Sequence, residues 1–96
     1  MEKQITAKLL QLGIKPNYKG FHYLRDIIQT YLHNPTAPTM LLYEVTADNF
    51  DKATAQRAER AIRFVKEKTG CTNYKYMKNR EFISRLAEEL KIEGVA

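Results

Sequence analysis

The chain has no tryptophan, one cysteine, three prolines and four glycines among its 96 residues. A lone cysteine, Cys71, cannot close an internal disulfide, which fits a reducing compartment and leads to the expectation of a cytoplasmic protein. No apolar run approaches the roughly 18 residues of a membrane span, so a membrane partner is not expected. The opening residues, Met1 to Thr6, have no apolar core of a signal peptide. Glycine-rich phosphate loops, nucleophile elbows and helical histidine pairs are all missing. His22 and His33 are eleven positions apart, with no cysteine or carboxylate cluster at ligand spacing. Catalytic residues, a cofactor and a metal are therefore not expected, and the chain does not read as an enzyme.

What the sequence does have is charge in one place. The formal net charge is +5. Between Lys52 and Arg80 there are nine basic residues and only two acidic ones, Glu59 and Glu67, a balance of +7; the rest of the chain sums to −2. A basic segment in a small domain is the electrostatic footprint of a polyanion binder, although a solvated surface has the same composition. A length of 96 residues fits one domain spanning 1–96.

Apolar periodicity predicts an all-α fold, a compact domain of five or six helices containing a helix-turn-helix. The first helix is expected over about Glu2 to Leu12, with Ile5, Leu9 and Leu12 on one face and Gly13 as a left-handed cap. Pro16, Asn17 and Gly20 mark a loop. The second helix is expected over Phe21 to Leu32, and Asn34, Pro35 and Pro38 end it. The third is expected from Pro38 to about Phe50, burying Leu41, Leu42, Val45 and Phe50. From Cys71 to Lys78 a loop is expected, with a short strand as the alternative. Asn79 is a fitting cap for a last helix whose apolar face holds Phe82, Ile83, Leu86, Ala87 and Leu90.

The fourth helix, over about 54–68, carries the functional reading. At about 100° per residue it places Ala58, Ala61, Ile62 and Val65 on one side and Gln56, Arg60, Arg63 and Glu67 on the other, with Arg57 and Glu59 beside them. Thr54 is its expected N-cap and Gly70 its expected C-terminal stop. The apolar strip is small, so the helix packs closely while its polar face stays outward. Glutamine, arginine and glutamate are side chains that read base edges in a major groove. With a connection of about four residues to the third helix, the arrangement is a helix-turn-helix.

Ile5-Thr6, Leu12-Gly13-Ile14-Lys15-Pro16 and Lys19-Gly20-Phe21-His22-Tyr23-Leu24-Arg25 together resemble the start of the C-terminal effector domain of the sporulation initiation response regulator. Arg57-Ala58-Glu59-Arg60-Ala61-Ile62-Arg63 is similar to that family's recognition helix, and Asn79-Arg80-Glu81-Phe82-Ile83 through Leu90-Lys91-Ile92-Glu93 resembles its last helix. The resemblance implies an all-helical domain that binds promoter DNA and regulates transcription. It implies base contacts at Arg57, Glu59 and Arg60. In that family a phosphorylatable receiver domain precedes the effector domain; here Met1 lies almost at its start, so no receiver domain is expected. The turn before the recognition helix is about one residue longer, Phe64 replaces a polar residue, and the segment from Thr69 to Lys78 is shorter.

The resulting expectation is sequence-specific binding of double-stranded DNA by a small transcriptional regulator. Gln56, Arg57, Glu59, Arg60 and Arg63 are the expected DNA-binding residues on the helix, with Lys52 and Lys66 joining Arg63 on phosphates. Glu59 has an equal alternative role, orienting a neighbouring arginine. A homodimer is a further expected partner, since one helix reads few base pairs. The alternative is a protein-binding module or inhibitor, carried by a mobile element, that reuses the effector fold.

Overall fold

The computed structural model describes residues 2–50, 53–70 and 72–94. These residues form six helices and no strand: α1 (Glu2–Gln11), α2 (Lys19–His33), α3 (Thr39–Asp48), α4 (Ala55–Glu67), α5 (Thr72–Lys75) and α6 (Asn79–Ile92). The all-α expectation holds, and the sixth helix is the single turn α5. Cys71 lies outside the described residues.

The 3.6-residue period explains most of the packing. Phe21, Leu24, Ile27 and Ile28 of α2 are fully buried, and α1, α3, α4 and α6 all pack on this helix. On α6 the spacing of Phe82, Ile83, Leu86, Ala87 and Leu90 makes one uninterrupted buried stripe. Burying a large aliphatic or aromatic side chain contributes roughly 1.5–3 kcal/mol, several times an exposed helix ion pair at about 0.2–0.5 kcal/mol. The core therefore fixes where the helices lie, and surface charge does not.

Two glycines shape the framework. Gly13 takes φ +84° and its N–H donates to the Leu10 carbonyl at 3.0 Å, while Ile14 N–H reaches the Leu9 carbonyl at 3.2 Å. That is a Schellman termination, sealed by the buried Leu9 and Ile14 side chains. Gly20 was expected in a loop but lies in the first turn of α2. There a Cβ would sit 2.3 Å from the Ala61 carbonyl oxygen and 2.7 Å from Val65 Cγ1, so its lack of a side chain lets α2 and α4 touch backbone to backbone.

Several expectations are corrected. On α3 the buried residues are Leu42, Tyr43, Thr46 and Ala47, while Leu41 is 43% exposed. This helix is apolar on more than one side, so hydropathy did not fix its inward face. The hydroxyls of Tyr43 and Thr46 are buried with no hydrogen-bond partner among the described residues. Gly70 does not cap α4; Lys68 is the C-cap, and Gly70 N–H instead bonds the Leu12 carbonyl at 3.2 Å, tying the two helix ends together. Asn79 is the first residue of α6, not its cap; the cap position is Lys78.

Candidate nucleic-acid interface

The third and fourth helices are joined by residues 49–54, a connection longer than expected. Thr54 performs the capping its sequence position predicts. It is extended (φ −128°, ψ 161°), and its Oγ1 accepts the Arg57 N–H at 3.1 Å. A cap of this kind stabilises a helix start by about 1 kcal/mol.

From that start, α4 buries Ala58, Ile62 and Val65. Gln56, Arg57, Arg60, Arg63, Phe64 and Glu67 are all exposed. Arg60 makes no hydrogen bond or ion pair with any described residue. Arg63 is ion-paired with the Glu59 carboxylate one turn earlier, so both side chains lie along the helix surface. Glu59 is only half-exposed and also turns towards Asn79 of α6, with Nδ2 to Oε1 at 3.5 Å. Of its two sequence readings, this geometry displays the orienting one. Lys52 lies outside the described residues.

Lys66 corrects the reading that placed it on a phosphate. Its side chain is on the α6 side of the helix and the residue is 7% exposed. Its Nζ donates to the Met77 carbonyl at 2.5 Å and to Asn79 Oδ1 at 3.0 Å. Burial pushes the ammonium pKa down, and the Arg63 charge pushes the same way. At 100° per residue, position 66 falls beside the buried strip and not on the outward ridge. The stem packs inside, and the charge finds neutral oxygens there.

Arg80 is likewise committed. Its guanidinium donates to the Ala37 carbonyl at 2.6 Å and the Pro35 carbonyl at 2.9 Å, and lies over the Tyr31 ring at 5.2 Å. It pins the α2–α3 turn to the start of α6. Tyr74 is 8% exposed and bonds Glu89 Oε2 at 2.6 Å, so it serves the core, whereas Tyr76 is 82% exposed. Phe64 stacks edge-on against Tyr18 at 5.2 Å, with the Lys68 ammonium 5.0 Å above its ring. The departure at Phe64 is thus partnered by the segment that opens α2. Asn79 is the residue whose importance the sequence hid: its amide holds α4 through Glu59 and Lys66 at once.

A helix capped at its start, seated on a small apolar strip and outwardly lined with arginines, follows another helix, which is the arrangement of a helix-turn-helix. The comparison with known families agrees: the family described as Sporulation initiation factor Spo0A C terminal matches residues 5–89. The chain belongs to that family, and so it is a DNA-binding transcription factor domain. No solved structure matches it. Among the described residues no helix is long and apolar enough to cross a membrane.

Proposed function

We propose that this domain binds double-stranded DNA sequence-specifically by laying α4 in the major groove. Gln56, Arg57 and Arg60 read base edges near the start of the helix, and Arg63 exchanges Glu59 for a phosphate or a base as the groove closes on it. The observation that carries this reading is the exposed ridge of Gln56, Arg57, Arg60 and Arg63, with the Arg60 guanidinium unengaged by the described residues. Lys52 stays a proposed phosphate contact, while Lys66 is withdrawn from that role by its burial. Two copies on adjacent half-sites would supply the specificity that one helix lacks.

The test is fluorescence anisotropy against duplexes selected from a random pool. Each phosphate contact should add about 0.9 to the slope of log affinity against log salt. Arg60→Ala should cost about 1–3 kcal/mol of discrimination at one base pair and leave binding to unrelated duplex almost unchanged. A flat salt response, or unaltered sequence preference in Arg60→Ala, overturns the proposal. Retention of one stoichiometric protein and no duplex selects the protein-binding alternative.

A further inference from the structure

The side of α4 that faces α6 is gripped at two points by a single amide. Asn79 Nδ2 donates to the Glu59 backbone carbonyl at 3.1 Å, and Asn79 Oδ1 accepts from Lys66 Nζ at 3.0 Å. Positions 59 and 66 are seven residues apart, so they lie within about 20° of each other round the helix and roughly 10 Å apart along it. The same ammonium continues to the Met77 carbonyl at 2.5 Å, in the turn that leads into α6. The opposite side of α4 meets α2 by direct backbone contact at Gly20 and Ala61 and by the Tyr18–Phe64 ring pair. Contacts on that side limit how closely α4 approaches. Rotation about its own axis is opposed by directional bonds, and these lie on the α6 side.

Resting on the reading of α4 as the groove helix, we propose that Lys66 and Asn79 are positioning residues that set its rotation and so decide which outward side chains meet the bases. Neither faces the groove. The effect passes through Glu59: its carbonyl is held by Asn79, and its carboxylate lies between Asn79 Nδ2 and Arg63. Turning α4 by one side-chain position is about 100°, so a rotation of even a fifth of that displaces long arginine tips by several ångströms. A bidentate contact to a base does not tolerate such a displacement, whereas a phosphate contact does.

The experiment compares Lys66→Met and Asn79→Ala with Lys8→Met, which removes another buried lysine away from α4. For each folded variant, the affinity ratio between the preferred duplex and a scrambled one is measured, together with amide residual dipolar couplings of α4 and α6 in the free protein. The ratio should fall at least fivefold in Lys66→Met and Asn79→Ala, stay within twofold of wild type in Lys8→Met, and be accompanied by a change in the α4–α6 couplings. If Asn79→Ala fails to fold, Lys66→Met carries the test, because its apolar stem is kept. An unchanged ratio, a fall shared by Lys8→Met, or a fall with unmoved couplings overturns the proposal. A wild-type protein with no preference among duplexes ends the DNA reading instead. The couplings then judge the latch alone: moved, it sets α4; unmoved, it does not.

Discussion

Among the described residues two lysines are buried, and their surroundings are opposite. Lys8 of α1 meets two carboxylates of α6 and the residue that follows it, Glu89 at 3.0 Å and Glu93 at 2.7 Å. Among the described residues Lys66 of α4 hydrogen-bonds neutral oxygens, those of Met77 and Asn79. Burial alone would lower the Lys8 pKa, but its bonds to Glu93 and Glu89 outweigh that and hold it above 10.5. For Lys66 burial wins, and the pKa falls below 10.5. The α1–α6 seam thus uses its ammonium to stabilise the fold. The α4–α6 seam tolerates a strained charge for the sake of directional bonds.

The comparison can be broken by truncation. Lys8→Met leaves Glu89 and Glu93 without their shared cation and should cost about 2 kcal/mol in urea unfolding; the partial exposure of the carboxylates keeps it below the 3–5 kcal/mol of a deeply buried pair. Tyr74→Phe tests the same cluster from the other side. It removes the 2.6 Å bond to Glu89 and should cost about 1–1.5 kcal/mol. Lys66→Met removes two hydrogen bonds but also the cost of burying a charge, so its loss should be under about 1 kcal/mol. A larger loss for Lys66→Met than for Lys8→Met would reverse the assignment.

The pH dependence sharpens it. Burial would raise the Glu89 pKa, but hydrogen bonds from Tyr74 and Lys8 hold it below 4.5. Its contribution is therefore present above pH 4.5 and lost as pH falls through the lowered folded value. Lys8→Met should flatten that acid loss, and Lys66→Met should leave it intact. At the alkaline end, the raised pKa of Lys8 means its contribution is full below 10.5 and lost only above it. The lowered pKa of Lys66 makes the unfolded chain bind more protons just below 10.5, so stability rises there with pH. That rise is the smallest effect of the set and should vanish in Lys66→Met, read by urea midpoints between pH 8 and pH 10.

The two seams also differ in how far they could be read beforehand. The stripes of α1, α2, α4 and α6, the Gly13 cap and the Thr54 cap are local, set by residues within a few positions of one another, and they emerge from periodicity and turn chemistry. The outward ridge of α4 follows for the same reason. The inward side of α3 did not, because Met40 and Leu41 compete with Leu42 and Tyr43 and only packing against α2 and α4 decides between them. The single turn α5 is too short to show a period. Lys66 looked like one more surface cation because its partner, Asn79, is thirteen residues away on another helix. Nothing in a linear pattern announces that meeting.

Arg80 belongs to the strongly basic segment, yet both of its named hydrogen bonds run to carbonyls of the α2–α3 turn. Its charge still contributes to the far field that draws a polyanion in, but the group is already occupied at the moment of docking, as is Lys66. Attraction and adhesion are thereby uncoupled: the rate of encounter should reflect the whole cationic tally of the segment, while the number of condensed ions displaced from the duplex should be smaller by these two.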